Sequence, residues 1–361
     1  MFTYLAVFMI SSILVYIGND RDHRNWLALI LGISLPVIMA GFRSEAVGTD
    51  TENYQILFEE FKVAPSFLFC PEPFYYVLSL IAAYFDSFKI LLLSYQFFSI
   101  FFIINAFRNS KNNFIKNPII IPSSIVLLLY FFILYNASLN IMRQITAVCY
   151  FVYISQFIER KILYIFLVII GLGWHSSIIL PAGLLFISYR IAKQRGAKQG
   201  CSLVLYFLGL LGIQFIIVSF LNVLSHTGIK SLAMKGAVYS QSASGGASWS
   251  FVLTSLLSIA LLSFGWKYIR LASNKKILIL LIFITELSFY LTGNFNPALM
   301  RLALYFTGFY SFFIPQIITN INTPKEQKMI LYIGTIWYFL FYWWYINVHS
   351  NSGHTIPYEL S

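Results

Sequence analysis

Charge is what this sequence has least of. Only 10% of its 361 residues are charged, 59% are hydrophobic and the mean hydropathy is +0.76. A soluble domain is excluded, because so little polar surface cannot cover the apolar atoms in water. Cysteine is nearly as scarce. Cys70, Cys149 and Cys201 lie far apart, the last two in apolar runs, so neither a disulfide framework nor a metal cluster is indicated. No cation precedes Arg21, so the basic start of a cleaved signal peptide is missing and the first apolar run is expected to remain as a helix. No internal repeat and no separate soluble segment is visible. Residues 1–361 therefore read as a single integral-membrane domain.

What is present is a series of apolar runs, at about 2–17, 26–41, 73–107, 119–136, 141–158, 162–189, 201–225, 250–268, 277–292, 299–319 and 329–346. Most have the length of a membrane helix, and none shows the short alternation of a membrane barrel. The expected class is all-α and polytopic. Two runs need dividing. As one helix, 162–189 would be roughly 42 Å long, too much for a single crossing, and 73–107 contains Asp86 and Lys89.

Loop charge decides both. The cation-rich segments are Arg21/Arg24, Arg108/Lys111/Lys116, Arg160/Lys161, Arg190/Lys193/Arg195/Lys198, Lys267/Arg270/Lys275/Lys276 and Lys325/Lys328. All six lie on the cytoplasmic side only if 162–189 crosses twice and 73–107 once, with 73–86 an outer-surface or re-entrant helix and 88–107 the crossing. That gives about twelve transmembrane helices with both termini external. The external loops are then 41–72, 137–140, 226–249 and 293–300, with a tail over 347–361. The net charge of +11 thus reports topology, and no nucleic-acid partner is indicated.

Against this pattern, Arg43, Arg143 and Arg301 stand out, each at the outer end of an apolar helix. Arg143 shares a helical face with Asn136, Asn140 and Ala147, and Gln144 follows it; Tyr305 lies one turn beyond Arg301. A guanidinium stays charged and grips phosphate oxygens with paired hydrogen bonds, which suits a diphosphate at the membrane surface. The plain alternative is anchoring to lipid headgroups. Among the external carboxylates, Asp50 and Glu52 form an Asp-x-Glu pair without a third metal ligand in register. Glu72, between Pro71 and Pro73, either favours a helix N-terminus or acts as a base. Glu286 lies within an apolar run, about 9 Å from its outer end, where an acid marks a functional site or a structural partner of Arg143 or Arg301. His175 is the one histidine in an apolar run, and is either a hydrogen-bonded structural residue or an acid or base. Tyr54 could stack on sugars or belong to the interfacial belt, as could Tyr75, Tyr76, Trp249 and Trp343.

Six short motifs occur in an ordered series: Gly-Phe-Arg at 41–43, Val-Gly-Thr-Asp-Thr-Glu-Asn-Tyr at 47–54, Pro-Glu-Pro-Phe at 71–74, Asn-Ile-Met-Arg-Gln at 140–144, Trp-His-Ser-Ser at 174–177 and Arg-Leu-Ala-Leu-Tyr-Phe at 301–306. In order and spacing they resemble the EpsG family of bacterial polysaccharide polymerases, and Ile-Pro-Tyr at 356–358 resembles the family's end. The resemblance is close over 40–190 and looser over 290–358, and no motif falls in 195–285. It implies a Wzy-type O-antigen or exopolysaccharide polymerase of the membrane glycosyltransferase class C. Such an enzyme joins repeat units carried on undecaprenyl diphosphate, as donor and acceptor, at the outer face of the bacterial cytoplasmic membrane, in lipopolysaccharide or exopolysaccharide biosynthesis. It implies no metal or other cofactor. The family's motif positions fall on Arg43, Asp50, Tyr54, Glu72, Asn140, Arg143, Gln144, His175 and Arg301.

On chemical grounds the three arginines would hold the diphosphate, with Glu72 or Asp50 as base and Glu286 and His175 following. Partners besides membrane lipid would be a chain-length regulator and a flippase. Two other functions fit an apolar chain of this kind. A lipid-linked oligosaccharide flippase would show ionisable groups near the midplane of several helices and repeated halves, which are not seen. A membrane O-acyltransferase would work through His175.

Overall fold

The computed structural model describes residues 1–18, 25–66, 72–113, 123–194, 196–225, 248–293, 297–351 and 353–360. Arg21, Arg24, Cys70, Pro71, Lys116, Arg195, most of the expected loop at 226–249 and Asn294 to Asn296 lie outside them. The described chain is all helical apart from turns and two isolated bridges. Its contacts divide it into two compact units. Unit 1 comprises Met1–Ala182, Gly308–Thr319 and Pro324–Ser361, and unit 2 comprises Gly183–Thr307 and Asn320–Thr323.

Unit 1 starts with α1 (Phe2–Gly18) and α2 (Trp26–Gly41), which pack together. Asn25 caps α2 by accepting from the Ala28 N–H at 3.1 Å. Pro36 inside α2 has no N–H to give the Gly32 carbonyl one turn back. The Ser11 hydroxyl on α1 donates to that carbonyl instead. A Cβ on Gly32 would come within 2.9 Å of Val15, so the helices meet at this depth only because the position is glycine.

Next come α3 (Thr51–Val63), α4 (Pro73–Tyr84) and α5 (Phe88–Asn113). The expected external loop at 41–72 therefore contains a helix. Its buried face is Thr51, Tyr54, Phe58 and Phe61, a helical spacing carried among polar residues. The expected division of 73–107 is present, with the chain turning at Asp86 (φ 49°). α6 (Ser123–Tyr130) passes through a π-helical turn (Phe131–Tyr135) into α7 (Asn136–Asn140), and Ile141 breaks the helix before α8 (Met142–Ile154). The short loop expected at 137–140 is thus helical, and the turn is one residue. α9 (Lys161–Gly171) and α10 (Ile179–Ala192) confirm the division of 162–189, which falls at Leu172 to His175.

Unit 2 contains α11 (Gly196–Ser225), α12 (Ser248–Phe264), α13 (Ser273–Gly293) and α14 (Pro297–Thr307), with α13 packed against each of the others. The run expected at 299–319 is interrupted between α14 and α15 (Tyr310–Asn320), and α15 and α16 (Lys325–Trp344) belong largely to unit 1.

Five of the described helical stretches have the length and composition to cross a membrane: Phe88–Phe107, Lys198–Ser219, Ser273–Gly293, Ala298–Asn320 and Lys325–His349. The other apolar helices have 10–17 residues. On many of these helices the exposed face is apolar. On α9, Ile162, Ile165, Phe166 and Ile169 form a stripe at helical spacing, each more than half exposed. Such stripes would aggregate in water and suit lipid.

Polar side chains turn inward. In unit 1, Asn136 accepts from the Trp343 indole N–H at 2.7 Å and donates to the Thr355 hydroxyl at 2.8 Å, all three buried. Asn136→Leu would leave both partners unsatisfied. It is expected to lower the unfolding free energy by about 1–3 kcal/mol, measured as a lower thermal midpoint in detergent; an unchanged midpoint would show that these bonds do not hold the tail.

Candidate functional site

The site lies in unit 1, where α2 ends and α3, α4 and α8 begin. Pro73 starts α4 well because its missing N–H would have no helical partner there. Glu72 precedes it in extended conformation (φ −96°, ψ 132°) and makes no side-chain capping bond. Its carboxylate reaches instead across to α8, where Oε2 accepts from Nη1 of Arg143 at 2.5 Å. Arg143 is the second residue of α8, so its guanidinium and the positive end of that helix lie together. The guanidinium carbon is 4.9 Å from the ring centre of Tyr75 and 5.5 Å from that of Tyr54. The two rings meet edge to face at 6.4 Å. Cation–π contacts of this kind contribute about 0.5–2 kcal/mol each.

Behind the pair lies the α9–α10 turn. The Phe74 N–H donates to the Gly173 carbonyl at 3.1 Å, and the Phe74 ring is 4.6 Å from that of Trp174. Next to Trp174, half-buried His175 caps the short turn that leads into α10. Its Nδ1 accepts from the Ser177 N–H at 3.2 Å and lies 2.7 Å from the Ser177 hydroxyl. Because a backbone N–H can only donate, Nδ1 carries no proton here and the neutral ring is protonated on Nε2.

Arg43 is placed differently. It is 4% exposed, and it donates to the Ala40 carbonyl at 2.6 Å and the Leu139 carbonyl at 2.8 Å. Burial lowers its pKa to about 10, which leaves it cationic at neutral pH. It thereby ties the end of α2 to the end of α7. Asn140 holds the next segment, accepting from the Thr49 N–H at 2.8 Å. Asp50 directly precedes α3, and its carbonyl accepts from the Tyr54 N–H at 3.0 Å. Gln144 is buried beside Arg143.

A terminal strap completes this end. The Glu359 carbonyl accepts from the Ser44 N–H at 2.8 Å and the His354 carbonyl from the Gly48 N–H at 2.9 Å. The Tyr358 hydroxyl donates to Met39, and the Tyr4 hydroxyl to Thr355. Residues 43–50 are therefore clamped between Leu139–Asn140 and 354–360.

Unit 2 holds the remaining candidates. Glu286 on α13 is fully buried and accepts from the Thr307 hydroxyl at 2.6 Å, which also bonds Tyr290 at 2.7 Å. Arg301 is half-buried on α14, with Tyr305 buried one turn on. Among the described residues, no three His, Cys, Asp or Glu side chains converge as metal ligands. The structure thus brings together Arg143, Glu72, Tyr54 and Tyr75, and it adds the strap. Sequence reasoning passed over the strap although Ile-Pro-Tyr at 356–358 marks it.

Helices so apolar on their outer faces are those of integral membrane proteins, and the paired charges of unit 1 give this one a polar centre. Over residues 25–360, nearly its full length, the chain matches the EpsG family and belongs to it; the family is one of Wzy-like polymerases. No curated protein and no solved structure matches it.

Gly48 tests the clamp. It has φ +100°, and a Cβ there would lie 2.6 Å from Oδ1 of Asn140. Gly48→Ala is expected to cost at least about 1–2 kcal/mol, seen as a lower unfolding midpoint of the purified protein. An unaffected midpoint would mean that the segment has slack.

Proposed function

We propose that the protein is a polysaccharide polymerase that joins undecaprenyl-diphosphate-linked repeat units at the outer face of the bacterial cytoplasmic membrane. The observation that carries this reading is the Arg143–Glu72 pair set among the Tyr54 and Tyr75 rings, in a chain of the EpsG family. The reading includes about twelve membrane crossings, a class C glycosyltransferase architecture and no metal or other cofactor. A flippase that delivers the repeat units and a chain-length regulator are its expected partners.

In the reaction, an acceptor hydroxyl oxygen bonds to the donor sugar's anomeric carbon as the bond from that carbon to the diphosphate oxygen breaks. The hydroxyl proton has to leave, and negative charge grows on the diphosphate. Arg143 meets the second need, because a guanidinium takes two phosphate oxygens in parallel and stabilises them more as their charge increases. Glu72 meets the first. Before substrate binds, its carboxylate occupies Nη1 of Arg143. A diphosphate taking that position would release the carboxylate to accept the proton, so base and donor arrive in one step. The tyrosine rings offer flat faces to sugars as well as to the cation. Arg43, whose donors bind carbonyls, holds the 43–50 segment in place. Within unit 1, Asp50 and His175 rank after Glu72 as proton carriers.

Arg143→Ala is expected to leave the protein inserted and to reduce chain extension by about 100- to 1000-fold. Cells would then display single repeat units in place of a ladder on a surface-polysaccharide gel. Complete loss of exported units would favour a flippase, and a normal ladder would remove Arg143 from the chemistry.

A further inference from the structure

Buried polar atoms almost always have partners. Two that have none among the described residues belong to helices of unit 1 that pack together, and their side chains flank the same Tyr75 ring: the Tyr95 hydroxyl on α5 and Nε of Arg143 on α8. Tyr95 is 1% exposed. An unpartnered buried hydroxyl is destabilising, and a phenylalanine would fill the same volume without it. The hydroxyl therefore calls for a reason outside the resting fold.

The backbone beneath it is held firmly. The Tyr95 carbonyl accepts from the Ser99 hydroxyl at 2.9 Å and the Thr146 hydroxyl at 3.2 Å, and those hydroxyls lie 2.8 Å apart. Thr146 is three residues beyond Arg143 on α8, hence on the same face one turn along. The bond that secures Tyr95 thus fixes its position relative to Arg143. The ring is fixed too. It stands edge-on to Trp174 at 6.0 Å and tilted against Tyr75 at 6.1 Å, and Tyr75 is the ring under the Arg143 guanidinium.

From this placement we propose that Tyr95 is a further catalytic residue, whose hydroxyl donates a hydrogen bond to a non-bridging oxygen of the departing lipid diphosphate beside Nε of Arg143. The assignment rests on the polymerase reading. Nε–H can only donate and a phenol donates readily, so the group that satisfies both must be rich in acceptors. An anionic oxygen gains roughly twice what a neutral hydroxyl would from such donors. Glu72 does not fill the role, since with its Oε2 on Nη1 both Nε and the Tyr95 hydroxyl still have no hydrogen-bond partner. Tyr95 keeps its proton throughout; the acceptor's proton goes to Glu72. Since charge on the diphosphate rises as the anomeric bond breaks, the donor acts mainly on the transition state.

Tyr95→Phe removes one oxygen atom and tests this directly. Purified full-length protein in lipid nanodiscs would be given a synthetic undecaprenyl-diphosphate-linked repeat unit, with chain growth read on a gel and thermal midpoints measured on the same samples. The expected result is a midpoint unchanged or raised, KM within about twofold and kcat lowered by at least about tenfold. Full kcat in Tyr95→Phe beside an active wild type overturns the assignment and leaves the polymerase reading standing. So does a kcat loss accompanied by a lower midpoint, which would mark a packing role. A wild type that builds no chains from this donor overturns both.

Discussion

The ion pair between Arg143 and Glu72 joins parts of the chain 71 residues apart, and most of unit 1's polar end is arranged around it. Each charge requires the other. The pair is part-buried, and removing one member leaves the other without its counter-charge. Glu72 can serve because α4 starts at proline and leaves the preceding carboxylate unneeded as a cap. Arg143 can serve because a single-residue break at Ile141 makes it the second residue of α8. Tyr54 and Tyr75 complete the setting with ring faces, which attract a cation while presenting carbon to their neighbours.

Around that centre the helices are apolar outside as well as in the core. Isoleucine and phenylalanine line the outside of α9, while Gln96, Ser99, Asn136, Ser138 and Thr146 are buried and bonded to other side chains or to carbonyls. In lipid no solvent can satisfy a backbone group, so a helix irregularity has to be repaired from a neighbouring helix. Pro36 shows the repair, with Ser11 donating to the carbonyl that proline leaves open.

Much of this was legible in the residues. Apolar runs fell on helices, and charge balance divided 73–107 at Asp86 and 162–189 near His175, where the helices do end. Arg143, Glu72 and Tyr54 stood out because a charge or a polar motif beside an apolar run is conspicuous. What could not be read was pairing. Nothing in Gly-Phe-Arg says that Arg43 turns toward carbonyls while Arg143 turns toward a carboxylate, since depth along a helix does not fix the direction of a side chain. α3 was hidden because Glu52, Asn53, Gln55, Glu59 and Glu60 outnumber the buried Tyr54, Phe58 and Phe61. Tyr95 looked like one aromatic among many. The one available signal was Thr146, a hydroxyl three residues past Arg143 on the same face.

The strap over residues 354–360 closes a ring that begins at Tyr4, whose hydroxyl binds a carbonyl 351 positions later. A helical bundle usually assembles from neighbours in sequence, each hairpin adding to the last. Here the segment carrying Gly48 and Asp50 acquires its final bonds from the opposite extremity of the chain. The bonds that close this end can therefore form only once residues 354–360 have reached it.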